Sequence, residues 1–260
     1  MTRNVRTIRV AVFAAAFAGL FLCLPRTQVS ARAAQQAPAA NDAAAHLQKS
    51  QFKDVKVTVE NGIANLTGTV ALYEYKTDAA RRVLHAKDVT AVRNLIEVGG
   101  PNLPDSELEN TLRDKLAYDR VGWGNEFDAI SVTVHNSVVT VGGSAHTPWN
   151  RSSAIALIAS TPGVKDVEGD IEVDPASPMD DGIRIAVARA IYGYPSLNKY
   201  AIDPAKPIRI AVNNGHVELY GAVDTAGDRQ IAFMRASSVP GVFSVRNYIL
   251  VAGQPVEEPK

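Results

Sequence analysis

"VENGIANLTGTV" occupies Val59 to Val70, and the chain says nearly the same thing twice more: "VHNSVVTVGGSA" from Val134 and "VNNGHVELYGAV" from Val212. Asn61-Gly62 stands between runs that alternate apolar and polar residues. A type I′ turn needs positive φ at both central positions, so Asn-Gly in this setting predicts a two-residue β-hairpin. Glu60 then faces Ile63 and Val59 faces Ala64. That register puts Val55, Val57, Val59, Ala64, Leu66 and Gly68 on one face. The second copy gives Ile130, Val132, Val134, Val139, Val141 and Gly143, and the third Ile208, Ile210, Val212, Val217, Leu219 and Gly221. A slip of one residue would bury polar side chains in all three. The second copy carries Asn136-Ser137 where the third has Asn214-Gly215. Serine tolerates positive φ less well than glycine, so a looser hairpin or another turn is expected there. Gly68, Gly143 and Gly221 end the second strand on its inward face, where the close approach of a helix is expected.

The likeness extends outward from the hairpins. Residues 59–98 align without gaps on 134–173 at an offset of 75, and those on 212–251 at an offset of 78. This period exceeds that of common solenoids and suits a small domain. After each hairpin comes a helical stretch that carries Ala79, Ala80, Val83 and Leu84, then Ala154, Ile155, Leu157 and Ile158, then Ile231, Ala232, Phe233 and Met234. A third strand follows near Val92, Val167 and Val245. Before the second and third hairpins, Leu108, Leu112 and Leu116, and Ile183, Val187 and Ile191, recur every four residues, as on a helix face. Asp105 and Asp180 open those helices, where a negative charge favours the helix dipole. The first copy has only a short counterpart. The predicted fold class is α+β: three tandem small αββαβ domains, each with two helices packed on one face of a three-stranded mixed sheet, over residues 42–99, 104–174 and 179–252. Residues 34–41 and 253–260 read as a disordered linker and tail.

Arg3, Arg6 and Arg9 precede the apolar run Val10 to Leu24, which is short for a membrane span and suits a signal peptide. Ala31-Arg32-Ala33 offers a cleavage site after Ala33. The expectation is an exported protein, periplasmic or outer-envelope associated. Cys23, the single cysteine, would leave with that segment, so a core without disulfides must hold the fold. The segment also takes five arginines, leaving 22 basic and 27 acidic residues, a net charge of −5. Such a chain is poorly suited to non-specific nucleic-acid binding or to purely electrostatic adhesion to anionic lipid.

No catalytic constellation stands out. His46, His85, His135, His146 and His216 show no metal-ligand spacing, and neither a P-loop nor a G-x-S-x-G is present. Asn65-Leu66-Thr67 and Asn150-Arg151-Ser152 match a glycosylation sequon, a pattern common by chance. The expectation is no enzyme, no cofactor, no metal and no nucleic acid. Two aromatic loops stand out instead. "LAYDRVGWGNEFDAI" holds Tyr118, Arg120, Trp123 and Phe127, and "IYGYPSLNKYAI" holds Tyr192, Tyr194, Lys199 and Tyr200. Tyr and Trp suit surfaces that are wet on one side and apolar on the other, which makes these eight the candidate surface-binding residues.

The spaced pattern V-x-V-x-N-G-x-V-x-L-x-G-x-V, an Ala-rich helix, then G-V-x-x-V-x-N-x-I-x-V resembles the BON domain. "IRIAVNNGHVELYGAV" with "PGVFSVRNYILV" matches it best. The second copy departs at Ser137 and Gly169, the first at Lys87-Asp88 and in its shortened opening helix. The resemblance implies an exported, often tandem, αββαβ module that binds phospholipid membranes or other envelope surfaces, with no fixed catalytic residues and a link to stress. On this reading Asn61, Gly62, Gly68, Asn136, Gly143, Asn214, Gly215 and Gly221 determine turns and packing. The expected partner is a phospholipid membrane surface. The alternative is a structural or assembly module that binds an envelope protein or a secretion-type complex. The oligomeric state stays open.

Overall fold

The computed structural model describes residues 38–119 and 126–253. Within them the chain is mixed α+β, with six helices and several mixed sheets, compatible with three tandem units. In the first repeat, α1 (residues 38–45) and a 3-10 turn, Ser50–Phe52, precede β1 (Val55–Glu60), β2 (Ile63–Val70), α2 (Tyr73–Val83), β3 (Ala91–Asn94) and β4 (Glu97–Val98). The second has α3 (Asp105–Tyr118), β5 (Ala129–His135), β6 (Val138–Ala145), α4 (Pro148–Ala159), β7 (Asp166–Gly169) and β8 (Glu172–Val173). The third has α5 (Pro178–Tyr192), a 3-10 turn Asn198–Ala201, β9 (Arg209–Asn213), β10 (His216–Tyr220), β11 (Ala222–Val223), α6 (Ala226–Ser237), β12 (Ser244–Asn247) and β13 (Leu250–Val251). Residues 38–41, read from sequence as disordered linker, are helical, and Ala39 is buried. The predicted signal peptide and residues 254–260 lie outside the described residues.

Each hairpin has the register that the alternation dictates. Glu60 pairs with Ile63 and Val59 with Ala64; His135 pairs with Val138; Asn213 pairs with His216. The turn residues all take positive φ: Asn61 and Gly62 at 53° and 78°, Asn136 and Ser137 at 52° and 62°, Asn214 and Gly215 at 50° and 74°. The expected departure at Ser137 therefore does not occur. Two strong acceptors hold that turn. The Asn136 and Ser137 N–H groups donate to the two Asp105 carboxylate oxygens at 2.8 and 2.9 Å. Asp180 does the same for Asn214 and Gly215 at 3.0 and 2.8 Å. An aspartate at the start of the preceding helix thus fixes the next hairpin turn.

The third strand of each sheet runs parallel to the second strand of the hairpin, as β2 with β3, β6 with β7 and β10 with β12. It breaks after Asn94 and Asn247, and each asparagine bridges the break. The Asn94 Nδ2 donates to Lys76 O in α2 at 2.7 Å and its Oδ1 accepts from Ile96 N–H at 3.2 Å. Asn247 makes the same pair of bonds, to Arg229 O and from Ile249 N–H. Gly169 replaces this asparagine in the second repeat and takes φ 86° instead.

Gly68 and Gly143 admit a close approach, but not by a helix. A Cβ at either would collide with a carbonyl of the neighbouring strand segment, Asp54 O or Ala129 O. Helix-facing positions fill three cores. Leu108, Leu112, Ile183, Val187 and Ile191 are buried, each contributing roughly 1.5–3 kcal/mol through apolar burial. Of the apolar residues in the helices that follow the hairpins, Leu84 and Met234 are exposed, while Ala79 and Val83, and Ala232 and Ala236, are buried. The cores also interlock along the chain. Tyr73 of the first repeat packs against the second core, and Phe127 of the second packs against the third.

Candidate functional site

The two aromatic loops meet where the second and third repeats join. Helix α3 ends at Tyr118, whose hydroxyl donates to Asp203 Oδ1 at 2.8 Å. Glu126 O accepts from Ile210 N–H at 2.6 Å, so this segment lies along the free edge of β9. Phe127 enters the third core and meets the His146 ring edge-on at a centroid distance of 6.0 Å. His146 Nε2 stands 3.7 Å from Asp181 of α5. Arg184, 1% exposed, donates to Asp174 Oδ2 at 2.8 Å, to Asp181 Oδ1 at 2.6 Å and to Val212 O at 2.5 Å, clamping the connector to α5 and β9.

The third-repeat loop is braced from within. Tyr192 donates to Ile208 O at 2.6 Å, and burial, with the Glu126 charge nearby, pushes its phenol well above the usual range. Tyr200 is 5% exposed; its hydroxyl donates to Asp228 Oδ2 at 2.9 Å and accepts from Asp224 N–H at 2.7 Å. Lys199 is bound to Asp224 at 2.7 Å and lies 3.3 Å from Asp228. The Asp224 hydrogen bond is the main reason its ammonium is raised. Thr225 caps α6 by accepting from Asp228 N–H at 3.0 Å, so the brace ends on the N-terminus of that helix.

Of the eight candidates, then, Phe127, Tyr192 and Tyr200 point into cores and Lys199 is held by carboxylates. Tyr118 and Tyr194 remain on the surface, 55% and 38% exposed. Arg120 and Trp123 lie outside the described residues. The surface apolar set includes two residues the sequence reading did not single out. Ile202, 75% exposed, precedes Asp203, which accepts from the Tyr118 hydroxyl. Trp149, 76% exposed, sits in the first turn of α4. Its signal was available: the aligned positions of the other repeats are Glu74 and Gly227, so no shared core position explains a tryptophan there.

Among the described residues no group of three or more His, Cys, Asp or Glu is placed to hold a metal ion. No helix among them is long and apolar enough to cross a membrane. A family model, the BON domain, matches residues 31–100, 104–175 and 195–253. The chain belongs to the BON domain family. That family is generally non-catalytic. No curated protein matches the chain at a significant level. Solved structures similar to it include two of one protein. One is CdsD, a structural protein of the type III secretion system of Chlamydia trachomatis, at 16% identity over 81% of this chain and 90% of that one, with a TM-score of 0.24. The other is the C-terminal domain of the same protein, at 16% identity over 81% and 96%, with a TM-score of 0.23. Likeness this slight carries no argument about arrangement or partners.

Proposed function

We propose that this is an exported, non-catalytic, envelope-associated protein that contacts phospholipid surfaces through tandem BON units, a role suited to protecting the envelope under stress. Each unit is read as one αββαβ module with two helices on one sheet face; export rests on the N-terminal sequence pattern, and envelope association on membership of the BON family. The observation that carries the reading is the triple match to the BON family, whose domains point to membrane lipid. Tyr118 is exposed and hydrogen-bonded to Asp203, whose sequence neighbour Ile202 is exposed too, so this part of the surface offers a phenol and an aliphatic group of the kinds that suit a membrane interface. Linked weak sites give avidity of roughly 10²–10⁴ over one site where geometry allows.

The test is co-sedimentation of residues 34–260 with phospholipid vesicles, comparing the natural chain with Tyr118→Ser/Ile202→Ser. Weaker vesicle binding by the folded variant supports the reading; equal binding places lipid contact elsewhere on the chain.

A second reading, a structural module that binds an envelope protein, draws on Phe243. This ring is 70% exposed and immediately precedes β12, a strand at the edge of its sheet. Edge strands with unpaired backbone groups are ready templates for another chain.

A further inference from the structure

Helix α2 of the first repeat lies beside α4 of the second. The join is fixed by Lys165, whose Nζ donates to Val98 O at 3.0 Å and Gly99 O at 2.9 Å, and by Lys76, 4.0 Å from Asp166. Between the two helices runs a cleft of about 600 Å³. One unit alone cannot form it, because each wall comes from a different repeat.

The walls differ in kind. The α4 wall offers Ser152, Ile155, Ala156 and Ala159 and no charge. The α2 wall carries Arg81 and Arg82 toward one end and Glu74 toward the other. Glu74 and Arg81 are two helical turns apart, about 10 Å along the axis. Asp78 lies between them and orders the basic end: Arg81 donates to Oδ1 at 2.6 Å and Arg82 Nε to Oδ2 at 2.7 Å. Burial alone would raise the Asp78 carboxyl, but the two arginines outweigh it and hold it below its usual range. Arg82 also lies 5.7 Å over the ring of the buried Phe52. These bonds take one N–H of each guanidinium, and both side chains line the cleft. Two cations and two carboxylates balance overall, but Asp78 offsets only part of the arginine charge at one end, and Glu74 stands alone at the other. Such a groove fits a molecule that is itself neutral overall and charged at two ends.

We propose that the α2–α4 cleft binds the zwitterionic phosphodiester headgroup of a phospholipid, with Arg81 and Arg82 on the phosphate, Glu74 on the ammonium, and Ile155 and Ala156 against the glycerol carbons. The proposal rests on the phospholipid reading above and adds a headgroup class and a site that only the tandem chain has. Guanidinium pairs recognise phosphate oxygens by forked, charge-assisted hydrogen bonds. Net neutrality of the groove disfavours a purely anionic headgroup.

The test uses the full chain and three probes: vesicles of phosphatidylcholine with phosphatidylethanolamine, soluble glycerophosphoethanolamine, and inorganic phosphate. Vesicle affinity is measured for the natural chain, for Arg81→Gln/Arg82→Gln, and for Ala156→Trp, which fills the cleft from an exposed position and leaves the charges in place. The arginine Nε–H signals are followed by NMR with the soluble probes. We expect both variants to lose about tenfold or more in vesicle affinity, the loss of at least one charge-assisted contact. We also expect glycerophosphoethanolamine to shift the Arg81 and Arg82 signals further than phosphate does. If the natural chain binds vesicles and both variants bind equally well, the cleft is not the site, while the phospholipid reading stands. If vesicles fail but glycerophosphoethanolamine shifts the arginines, the lipid source is wrong and the phospholipid reading falls. If phosphate alone shifts them as strongly, the headgroup assignment is overturned. If no probe acts, both readings fall.

Discussion

Replacing Asp180 by alanine should unpin the third hairpin. The side chain is 1% exposed, and its two oxygens accept from the N–H groups of Asn214 and Gly215 at 3.0 and 2.8 Å. Both turn residues hold positive φ, so the bonds stabilise a backbone that Asn214 adopts at some cost. A hydrogen bond to a charged group contributes about 1.5–3 kcal/mol. The Gly215 N–H is buried and would lose its acceptor, whereas water can reach Asn214. The expected cost is therefore that of one bond in full and a fraction of the other, about 2–4 kcal/mol. The pH dependence follows from the same contacts. Burial pushes the Asp180 carboxyl up, but the bonds from Gly215, Asn214 and Ser177 and the charge of Arg184 outweigh burial and hold it below its usual range. A carboxyl lowered in the fold adds stability above its unfolded pKa of about 3.9, and that stability is lost as pH falls through the lower folded value. Urea unfolding followed at the third unit, by hydrogen exchange at Asn214, Gly215 and the β9–β10 ladder, reads both effects. Asp180→Ala should lower stability near neutral pH and flatten the loss below about pH 4. Stability within about 0.5 kcal/mol of the natural chain, or an unchanged acid limb, would refute the pinning argument.

Three further outcomes are expected. Gly143→Ala should destabilise the second unit by about 2–4 kcal/mol in urea titration, because the new methyl meets Ala129 O and φ is 87°. Asn247→Ala should cost about 1–3 kcal/mol and speed exchange of the Ile249 amide, which loses the Asn247 Oδ1 acceptor. Arg184→Met should cost about 3–5 kcal/mol and loosen the joint between the second and third units in small-angle scattering, since it strands the nearly buried Asp174. Burial already raises the Asp174 carboxyl against the opposing pull of Arg184. A carboxyl raised in the fold costs stability as pH rises toward the folded value, so the Arg184→Met defect should deepen with rising pH.

The hairpins were legible because strand alternation and an Asn-Gly turn are local properties with one consistent register. What escaped depended on groups distant in sequence. Ser137 looked unsuited to its turn because the acceptor that holds it, Asp105, sits in the preceding helix. Asp105 and Asp180 were read as helix-dipole partners, and their contacts with the following turn could not be seen from local pattern. The inward glycines pointed to a close approach, but its source was a neighbouring strand's carbonyl rather than a helix. The candidate surface was the least legible part. Aromatic residues in long loops suit both a wet interface and an inter-unit joint, and sequence does not separate them. Phe127, Tyr192 and Tyr200 went to the joint and the core, while Tyr118 stayed outside. Comparing the repeats position by position would have raised Trp149.

Vesicle binding by residues 34–260, measured on neutral and on anionic phospholipid at low and high salt, tests the central claim most directly. A chain of net charge −5 after loss of its first 33 residues should bind through apolar and headgroup contacts. The account predicts binding to neutral vesicles that persists when salt shortens the Debye length to about 3 Å. Failure to bind either vesicle at any salt would contradict it.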